Sequence, residues 1–148
     1  EAQSLMQLAA EKNKRILLPV DVVVADELSA EAAGMVVDIN QIPADKMILD
    51  IGPKTAGLYA EAIARAHTII WNGPVGVYEY EQFARGTEDI ARAIAASAAV
   101  SVVGGGDSAA VVHKLGLEGQ ITHISTGGGA TLEFLEGIEL PGVKAVQV

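Results

Sequence analysis

Two glycine-rich segments are the residues of this chain whose types and spacing could do chemistry. GGGDS occupies 104–108 and GGG occupies 127–129, and each lies between an apolar run and a run with helical periodicity. Glycine lets the backbone approach a ligand closely, and the free N–H groups and dipole of a helix start attract anions. Two such helix starts in successive units predict a site that holds one phosphate group from two sides. The alternative is that both segments are only tight turns.

Asp107 is the acidic residue most closely associated with these glycines, because it follows them at a predicted helix start. In one interpretation its carboxylate holds Mg²⁺ between nucleotide phosphates, since this ion takes one or two carboxylates together with phosphate oxygens. In the other it is an ordinary N-cap whose carboxylate accepts hydrogen bonds from free backbone amides. The sequence leaves both interpretations open.

A third loop, NGPVGVYE at 72–79, also follows an apolar run. Pro74 stiffens this loop, while Gly73 and Gly76 permit a close approach of its backbone to a ligand. The loop could therefore lie against a base or sugar, with Glu79 accepting hydrogen bonds from ribose hydroxyls. The alternative is a turn followed by a solvated glutamate.

Other kinds of site are less well supported. The chain has neither the G-x-x-x-x-G-K-[ST] pattern of a P-loop nor any cysteine. Its histidines at 67, 113 and 123 share no metal-ligand spacing. GGGDSA does match the dinucleotide fingerprint G-x-G-x-x-A, but His123 stands where a ribose-binding acid is expected. An NAD-binding domain of an oxidoreductase is therefore the second interpretation. The third is a non-catalytic nucleotide-binding domain whose exposed strand edge pairs with another chain.

The elements that must position these loops alternate between strands and helices. Apolar runs predict strands at 16–18, 22–25, 35–39, 68–71, 100–103 and 121–125, with an extended MILDI segment between two prolines. Periodicity predicts helices at 1–13, 56–66, 88–97, 109–115 and 130–135, the second and third capped by Thr55 and Thr87. This order predicts an α/β fold with a Rossmann-like, mainly parallel sheet and helices on both faces. The three loops would then meet at the carboxyl edge of the sheet, where ligands bind.

Composition narrows the class of partner. The net charge of −9 argues against nucleic acid or an anionic membrane as partner. Half of the residues are hydrophobic, which allows a sizeable core and argues against disorder. Backbone amides or Mg²⁺ could still hold a phosphorylated ligand. The chain shows no secretory leader and no apolar run of about 20 residues, so we expect a soluble protein. No capping residue precedes the first helix, so the chain either begins inside a longer protein or has a ragged natural terminus, and the helical pattern alone favours neither.

The loops and their flanks resemble phosphoglycerate kinase. The resemblance rests on WNGPVGVYE (71–79), SVVGGGDSAA (101–110) and HISTGGGATLEFLEG (123–137) followed by LPGV, together with VDVVVAD (20–26) and LDIGPKT (49–55). It runs from about Arg15 to Val143. It implies a fold of two α/β domains, with residues 1–148 as the later part of the carboxy-terminal, nucleotide-binding domain. The implied reaction is phosphoryl transfer between 1,3-bisphosphoglycerate and MgADP, giving 3-phosphoglycerate and MgATP.

The resemblance also implies roles for residues of the three loops. It assigns nucleotide contacts to Asn72, Gly73, Pro74, Glu79, Gly105, Gly106, Asp107 and Ser108. It assigns stabilisation of charge on the transferring phosphoryl to amides near Gly106, Gly128 and Gly129. Asp107 would in addition hold Mg²⁺, and Glu79 would bind the ribose hydroxyls.

The chain also departs from this family. It lacks the amino-terminal domain with the acid-substrate site and a catalytic arginine, the upstream GGAK-type segment with its lysine, and the glycine-rich segment beside the base. Tyr78 replaces a frequent phenylalanine, and Ile48 stands where some members have glycine. The resemblance implies a cytoplasmic enzyme that is monomeric at full length. The missing parts imply that residues 1–13 come from the middle of a longer protein, and we expect residues 1–148 alone to be inactive.

Overall fold

The computed structural model describes residues 1–147 of the chain. Its strands are Asp21–Ala25 (β1), Met35–Asp38 (β2), Met47–Ile51 (β3), Thr68–Asn72 (β4), Val100–Gly104 (β5) and His123–Ser125 (β6). Its helices are Ala2–Glu11 (α1), Pro53–Ala64 (α2), Arg85–Ala96 (α3), Gly106–Lys114 (α4), Gly128–Leu135 (α5) and Pro141–Val146 (α6). The predicted strand at 16–18 is not formed, and α6 was not predicted.

The second half of the chain forms a parallel sheet in the order β4-β5-β6. Its strands alternate with α3, α4 and α5, as expected for crossovers that return each strand to the same direction. Asn72 pairs with Gly104, and Gly104 pairs with Ser125, so the last residues of the three strands form one row. The α/β class is confirmed, and this row places the three predicted loops side by side.

The first half of the chain differs from the prediction of a mainly parallel sheet. β1 pairs antiparallel with both β2 and β3, in a separate three-stranded sheet of order β2-β1-β3. The connections at 26–34 and 39–46 are short, and the only helical turn in them is a 3₁₀ turn at Ile39–Gln41. The connection between β1 and β2 is too short for the dozen or more residues that a parallel pair needs, so these two strands pair in the antiparallel direction. β3 lies on the other side of β1 and runs parallel to β2, so the length of 39–46 does not determine its direction.

Helices cover the two faces of the parallel sheet unequally. On one face Trp71 and Val103 pack with Ile90 and Ile94 of α3 and Val111 of α4 in the main hydrophobic core. On the other face α5 leaves a cavity of about 390 Å³, lined by Ile70, Val102, Phe134, Leu135 and other residues. Ile70 remains 45% exposed.

Within residues 1–147, no helix has the length and apolar character needed to cross a membrane.

Two threonines that the sequence predicts as helix caps lie inside the first turns of their helices. The N-cap of α2 is Gly52, and Thr55 is buried with its hydroxyl donating to Asp21 Oδ1 at 2.7 Å. The N-cap of α3 is Ala84, and Thr87 Oγ1 accepts hydrogen bonds from the amides of Val75 and Gly76. Both prediction errors have one cause: each hydroxyl is bound by a segment distant in sequence.

Candidate functional site

The carboxyl ends of the three parallel strands bring the predicted loops into direct contact. The amide of Gly105 donates to the carbonyl of Ser125 at 3.0 Å, which joins the loop after β5 to the loop after β6. The amide of Gly73 donates to Ser108 Oγ at 2.8 Å, which joins the loop after β4 to α4. The three loops therefore form one surface.

A small cradle, formed by Asn72, Gly105 and Gly128, lies at the centre of this surface. A Cβ atom on Gly128 would lie 3.0 Å from the Cα of Gly105 and 3.2 Å from Asn72 Oδ1. Gly105 has a φ of 94°, which side-chain-bearing residues rarely adopt, and its own Cβ would lie 3.3 Å from Asn72 Oδ1. A side chain at either glycine would crowd Asn72 Oδ1 or the neighbouring backbone, so the glycines allow the three loops to pack this closely at the two helix starts.

The starts of α4 and α5 flank the cradle. Gly105 and Gly127 are the N-caps, so the first free amides belong to Gly106–Ser108 in α4 and to Gly128–Ala130 in α5. Within residues 1–147 these amides have no backbone acceptor. Cβ atoms at Gly106 and Gly129 would meet nothing within 4 Å, so both positions are open. Two positive helix ends on one surface suit an anion.

Asp107 has an exposed carboxylate in the first turn of α4. The N-cap is Gly105, and no side-chain capping bond is made, so the N-cap interpretation of Asp107 is wrong. Its Oδ1 instead accepts a hydrogen bond from the hydroxyl of Tyr78 at 3.2 Å. Partial burial raises the pKa of Tyr78, and the charge of Asp107 and this hydrogen bond raise it further.

Ser108 differs from Asp107 because its side chain is fully buried. Its hydroxyl accepts the Gly73 amide and so connects two loops. Only the backbone of Ser108, at the free start of α4, is placed to meet a ligand.

The segment 72–79 is held at several points along its length. Trp71 Nε1 donates to the carbonyl of Gly73 at 2.8 Å, and the amide of Val77 donates to the carbonyl of Leu49 in β3 at 2.8 Å. Pro74 is partly buried, and Glu79 is exposed at the far end. Glu79 borders an open depression with Glu88 and Lys114, outside the cradle. The structure therefore brings Asn72 and Gly73 to the cradle and leaves Glu79 beside it.

Two buried aspartates bind backbone amides at the starts of helices, and neither was predicted from the sequence. Asp21 accepts hydrogen bonds from the amides of Lys54 and Thr55 at the start of α2. Burial acts to raise its pKa, but the hydrogen bonds from Thr55 and Lys54 outweigh it and hold the pKa below the ordinary value. Asp50 is 2% exposed. The signal that could have found Asp50 is an acid in the middle of the apolar run MILDI.

The pKa of Asp50 is raised to about 6. Burial of the carboxyl is the largest cause, and the negative charge of Asp89 adds to it. Hydrogen bonds from the amides of Gly86 and Ile51 act in the opposite direction. This carboxyl is the most perturbed acid near the loops, although it lies beneath them and not in the cradle.

The described side chains could bind a magnesium ion only together with a bound ligand that supplies further oxygen atoms. Among residues 1–147 no group of three or more His, Cys, Asp or Glu side chains could hold a metal ion. One exposed carboxylate, that of Asp107, stands beside the open amides. This arrangement suits Mg²⁺, which binds through one or two carboxylates and takes its remaining ligands from phosphates and water.

Comparison with known proteins decides the family. The family model described as phosphoglycerate kinase matches residues 1–138. The chain belongs to the phosphoglycerate kinase family. The phosphoglycerate kinase of Moorella thermoacetica is 58% identical over 145 residues, and that of Chloroflexus aurantiacus is 56% identical over 149 residues. These alignments cover 98% and 99% of the chain and 37% of each relative.

Solved structures of phosphoglycerate kinases have the same fold. The enzyme from Coxiella burnetii matches with a TM-score of 0.90 and 50% identity, over 97% of this chain and 37% of that one. The enzyme from Pyrococcus horikoshii matches with a TM-score of 0.82 and 42% identity, over 98% and 36%. The chain thus spans a little over a third of the length of its relatives. Membership of this kinase family does not favour an NAD-binding oxidoreductase domain.

Proposed function

We propose that this chain supplies the nucleotide side of the phosphoglycerate kinase reaction, the reversible transfer of a phosphoryl group between 1,3-bisphosphoglycerate and MgADP. The observation that carries this proposal is the cradle, where two helix starts meet around Asn72 Oδ1. Family membership supports the assignment of reaction. The chain spans 37% of its relatives, so the reaction belongs to a longer protein in which residues 1–148 form part of the carboxy-terminal domain.

The nucleotide phosphates bind at the start of α4. The amides of Gly105, Gly106, Asp107 and Ser108 lie along this helix start, and those of Gly106–Ser108 have no backbone acceptor within residues 1–147. A phosphate would meet backbone N–H groups and the positive end of the helix together. The side chain of Ser108 takes part indirectly, since it holds Gly73 in place.

The sugar and base lie along the segment 72–79. Asn72, Gly73 and Pro74 form its start beside the cradle, and Glu79 is exposed at its end. The Glu79 carboxylate has the acceptors that two ribose hydroxyls require. Its position outside the cradle fits a nucleotide that has its phosphates on the glycines and its ribose further along the segment.

Asp107 holds Mg²⁺ on the nucleotide. The ion, when bound, neutralises phosphate charge and orients the phosphates for in-line transfer. The Tyr78 hydroxyl, which donates to Asp107 Oδ1, restrains the direction of the carboxylate and leaves its other oxygen free of that bond.

Charge on the transferring phosphoryl is stabilised by the amides of Gly106, Gly128 and Gly129. These amides belong to two helices whose starts touch at Gly105 and Gly128, so they approach the phosphoryl from two sides. They are already oriented by their helices, and no reorganisation is needed as charge develops. In phosphoryl transfer, positioning and electrostatic stabilisation dominate over covalent chemistry.

The remaining parts of the reaction lie outside residues 1–148. The acid substrate, 3-phosphoglycerate or 1,3-bisphosphoglycerate, would be bound by an amino-terminal domain that closes on this one and excludes water. We further propose a cytoplasmic protein that is monomeric at full length, in line with the resemblance.

A hybrid enzyme tests the proposal. Residues 1–148 would replace the matching segment of the Moorella thermoacetica phosphoglycerate kinase, which is 58% identical to them. We expect the hybrid to form MgATP from 1,3-bisphosphoglycerate and MgADP, and we expect residues 1–148 alone to show no turnover. A folded hybrid without turnover would contradict the proposed function. Turnover by the isolated chain would contradict the proposed division of the site.

A further inference from the structure

Asp50 is an acid buried at the end of β3, beneath the segment 72–79. Its Oδ1 accepts a hydrogen bond from the amide of Ile51 at 2.8 Å, and its Oδ2 accepts one from the amide of Gly86 at 2.7 Å. Gly86 lies in the first turn of α3. The carboxylate therefore joins a strand of the antiparallel sheet to the helix that follows the segment 72–79.

Two glycines approach this carboxylate more closely than any other residue type allows. A Cβ atom on Gly76 or on Gly86 would lie closer than 3.0 Å to the Asp50 carboxyl group. Real Cβ atoms do not make such contacts, so any larger residue would have to move the loop, the helix or the acid. The backbone of the segment 72–79 thus rests on Asp50 at Gly76.

The middle of the segment is also bound to the two elements that Asp50 joins. The amide of Val77 donates to the carbonyl of Leu49 in β3, and the amides of Val75 and Gly76 donate to Thr87 Oγ1 in α3 at 3.2 Å. A change in the relative position of β3 and α3 would therefore move the segment itself.

The two ends of the segment lie in the nucleotide site. Asn72 stands in the cradle at one end, and at the other Tyr78 contacts Asp107 just before Glu79. Pro74 restricts the backbone between Asn72 and Gly76, and only Val77 and Tyr78 separate Gly76 from Glu79, so a displacement at Gly76 is passed to both ends.

We propose that Asp50 is a positioning residue for the nucleotide: its carboxylate sets the spacing of β3 and α3 and supports Gly76, and thereby places Asn72 and Glu79. Asp50 lies below the site and acts through the segment, without touching the nucleotide. The inference rests on the proposed function, because it concerns the site that this function uses.

Asp50→Asn in the hybrid tests the inference by changing the acidic side chain itself. The amide has nearly the same shape, but only one oxygen remains, so the amide of Ile51 or of Gly86 loses its acceptor. Leaving a buried amide without its acceptor is unfavourable, so we expect the segment to shift in response. We expect the KM for MgADP to rise about five- to tenfold, while the KM for 1,3-bisphosphoglycerate changes less than about twofold.

Asp21→Asn is the matched control. Asp21 is an equally buried aspartate that also accepts amide hydrogen bonds at a helix start. Its bonds go to Lys54 and Thr55 at α2, and none of those described goes to the segment 72–79. We expect Asp21→Asn to lower the melting temperature of the hybrid and to leave both KM values unchanged.

Gly76→Ala tests the inference by changing the segment 72–79 where it contacts Asp50. This variant decides the matter if Asp50→Asn does not fold. The added methyl group would be forced against the Asp50 carboxyl and the Phe83 carbonyl, so the segment must move. We expect the same selective rise in the KM for MgADP. Gly57→Ala is its control, because a Cβ there meets nothing within 4 Å.

The outcomes separate this inference from the proposed function. An active hybrid in which Asp50→Asn and Gly76→Ala raise only the KM for MgADP, relative to the two controls, supports the positioning role. An active hybrid in which they behave like the controls, or raise both KM values equally, overturns it. A folded but inactive unmodified hybrid would instead contradict the proposed function.

Discussion

Asp107 is the residue on which the proposed metal chemistry depends. Its carboxylate is exposed, makes no capping bond and has only the Tyr78 hydroxyl as a described side-chain partner. A structural role in α4 would be limited to a favourable charge near the helix start, worth up to about 1 kcal/mol.

We therefore predict that Asp107→Asn separates activity from stability. In the hybrid, kcat should fall about 100-fold, since one group that stabilises the transition state is lost. The free energy of unfolding should change by less than about 1 kcal/mol, as measured by urea denaturation. Glu61→Gln, at an exposed acid on α2, serves as the control and should leave kcat unchanged. Equal losses of activity and stability in Asp107→Asn would contradict the metal role.

At the same scale, the sequence predicted the site residues more completely than their contacts. Glycines before a helix are a local pattern, and the structure has both helices there, beginning at Gly106 and Gly128, three and two residues before the predicted starts. The role of Ser108 depends on Gly73, 35 positions earlier, and that contact exists only because β4 and β5 are parallel neighbours. Asp50 was missed because its partners, Gly76 and Gly86, lie in other elements.

At the scale of elements, the strand and helix positions were largely predictable, and the pairing of the first three strands was not. Apolar runs indicate β1, β2 and β3 but carry no information on direction, and the prediction of parallel strands extended the pattern of the second half. The length of 26–34, too short for a crossover, was the available signal for the antiparallel pairing of β1 with β2, and the direction of β3 had no comparable signal. The caps assigned to Thr55 and Thr87 were wrong because distant acceptors and donors compete for hydroxyl groups.

The two buried aspartates that join elements give opposite dependences of stability on pH. The folded-state pKa of Asp50, about 6, exceeds its ordinary value of 3.8. The stabilisation that the protonated Asp50 carboxyl gives to the folded state is therefore full below the ordinary value and is lost as the pH rises through about 6. The pKa of Asp21 is lowered in the folded state. The stabilisation that the ionised Asp21 carboxylate gives to the folded state is therefore present above the ordinary value and is lost as the pH falls through the folded-state pKa.

We predict that urea denaturation of the hybrid resolves this difference. Between about pH 4 and pH 7, the stability of the unmodified hybrid relative to Asp50→Asn should fall by about 1–2 kcal/mol, allowing for solvent near the carboxyl. Its stability relative to Asp21→Asn should not fall over that range. A constant difference between the unmodified hybrid and Asp50→Asn would contradict the raised pKa.

At the scale of the whole molecule, the described residues leave two regions open. The positions of Gly106 and Gly129 at the starts of α4 and α5 are open, and large apolar side chains remain exposed on α1 and on one face of the parallel sheet, including Leu5 at 58% and Ile70 at 45%. The relatives are almost three times as long as the region that aligns with this chain. We infer that further parts of such a protein cover these apolar surfaces and bring the acid substrate to the cradle.

A titration of the isotope-labelled, folded chain with MgADP, followed through its amide resonances, tests the central claim most directly. We predict weak but saturable shifts concentrated at Gly105–Ser108 and Gly128–Ala130, and no saturable shifts with NADH. Gly128→Ala, whose methyl group would be forced against Gly105 and Asn72, should abolish the shifts with MgADP. Gly119→Ala, whose methyl group meets nothing within 4 Å, should not. Saturable shifts that avoid these two helix starts, or that appear equally with NADH, would contradict the account.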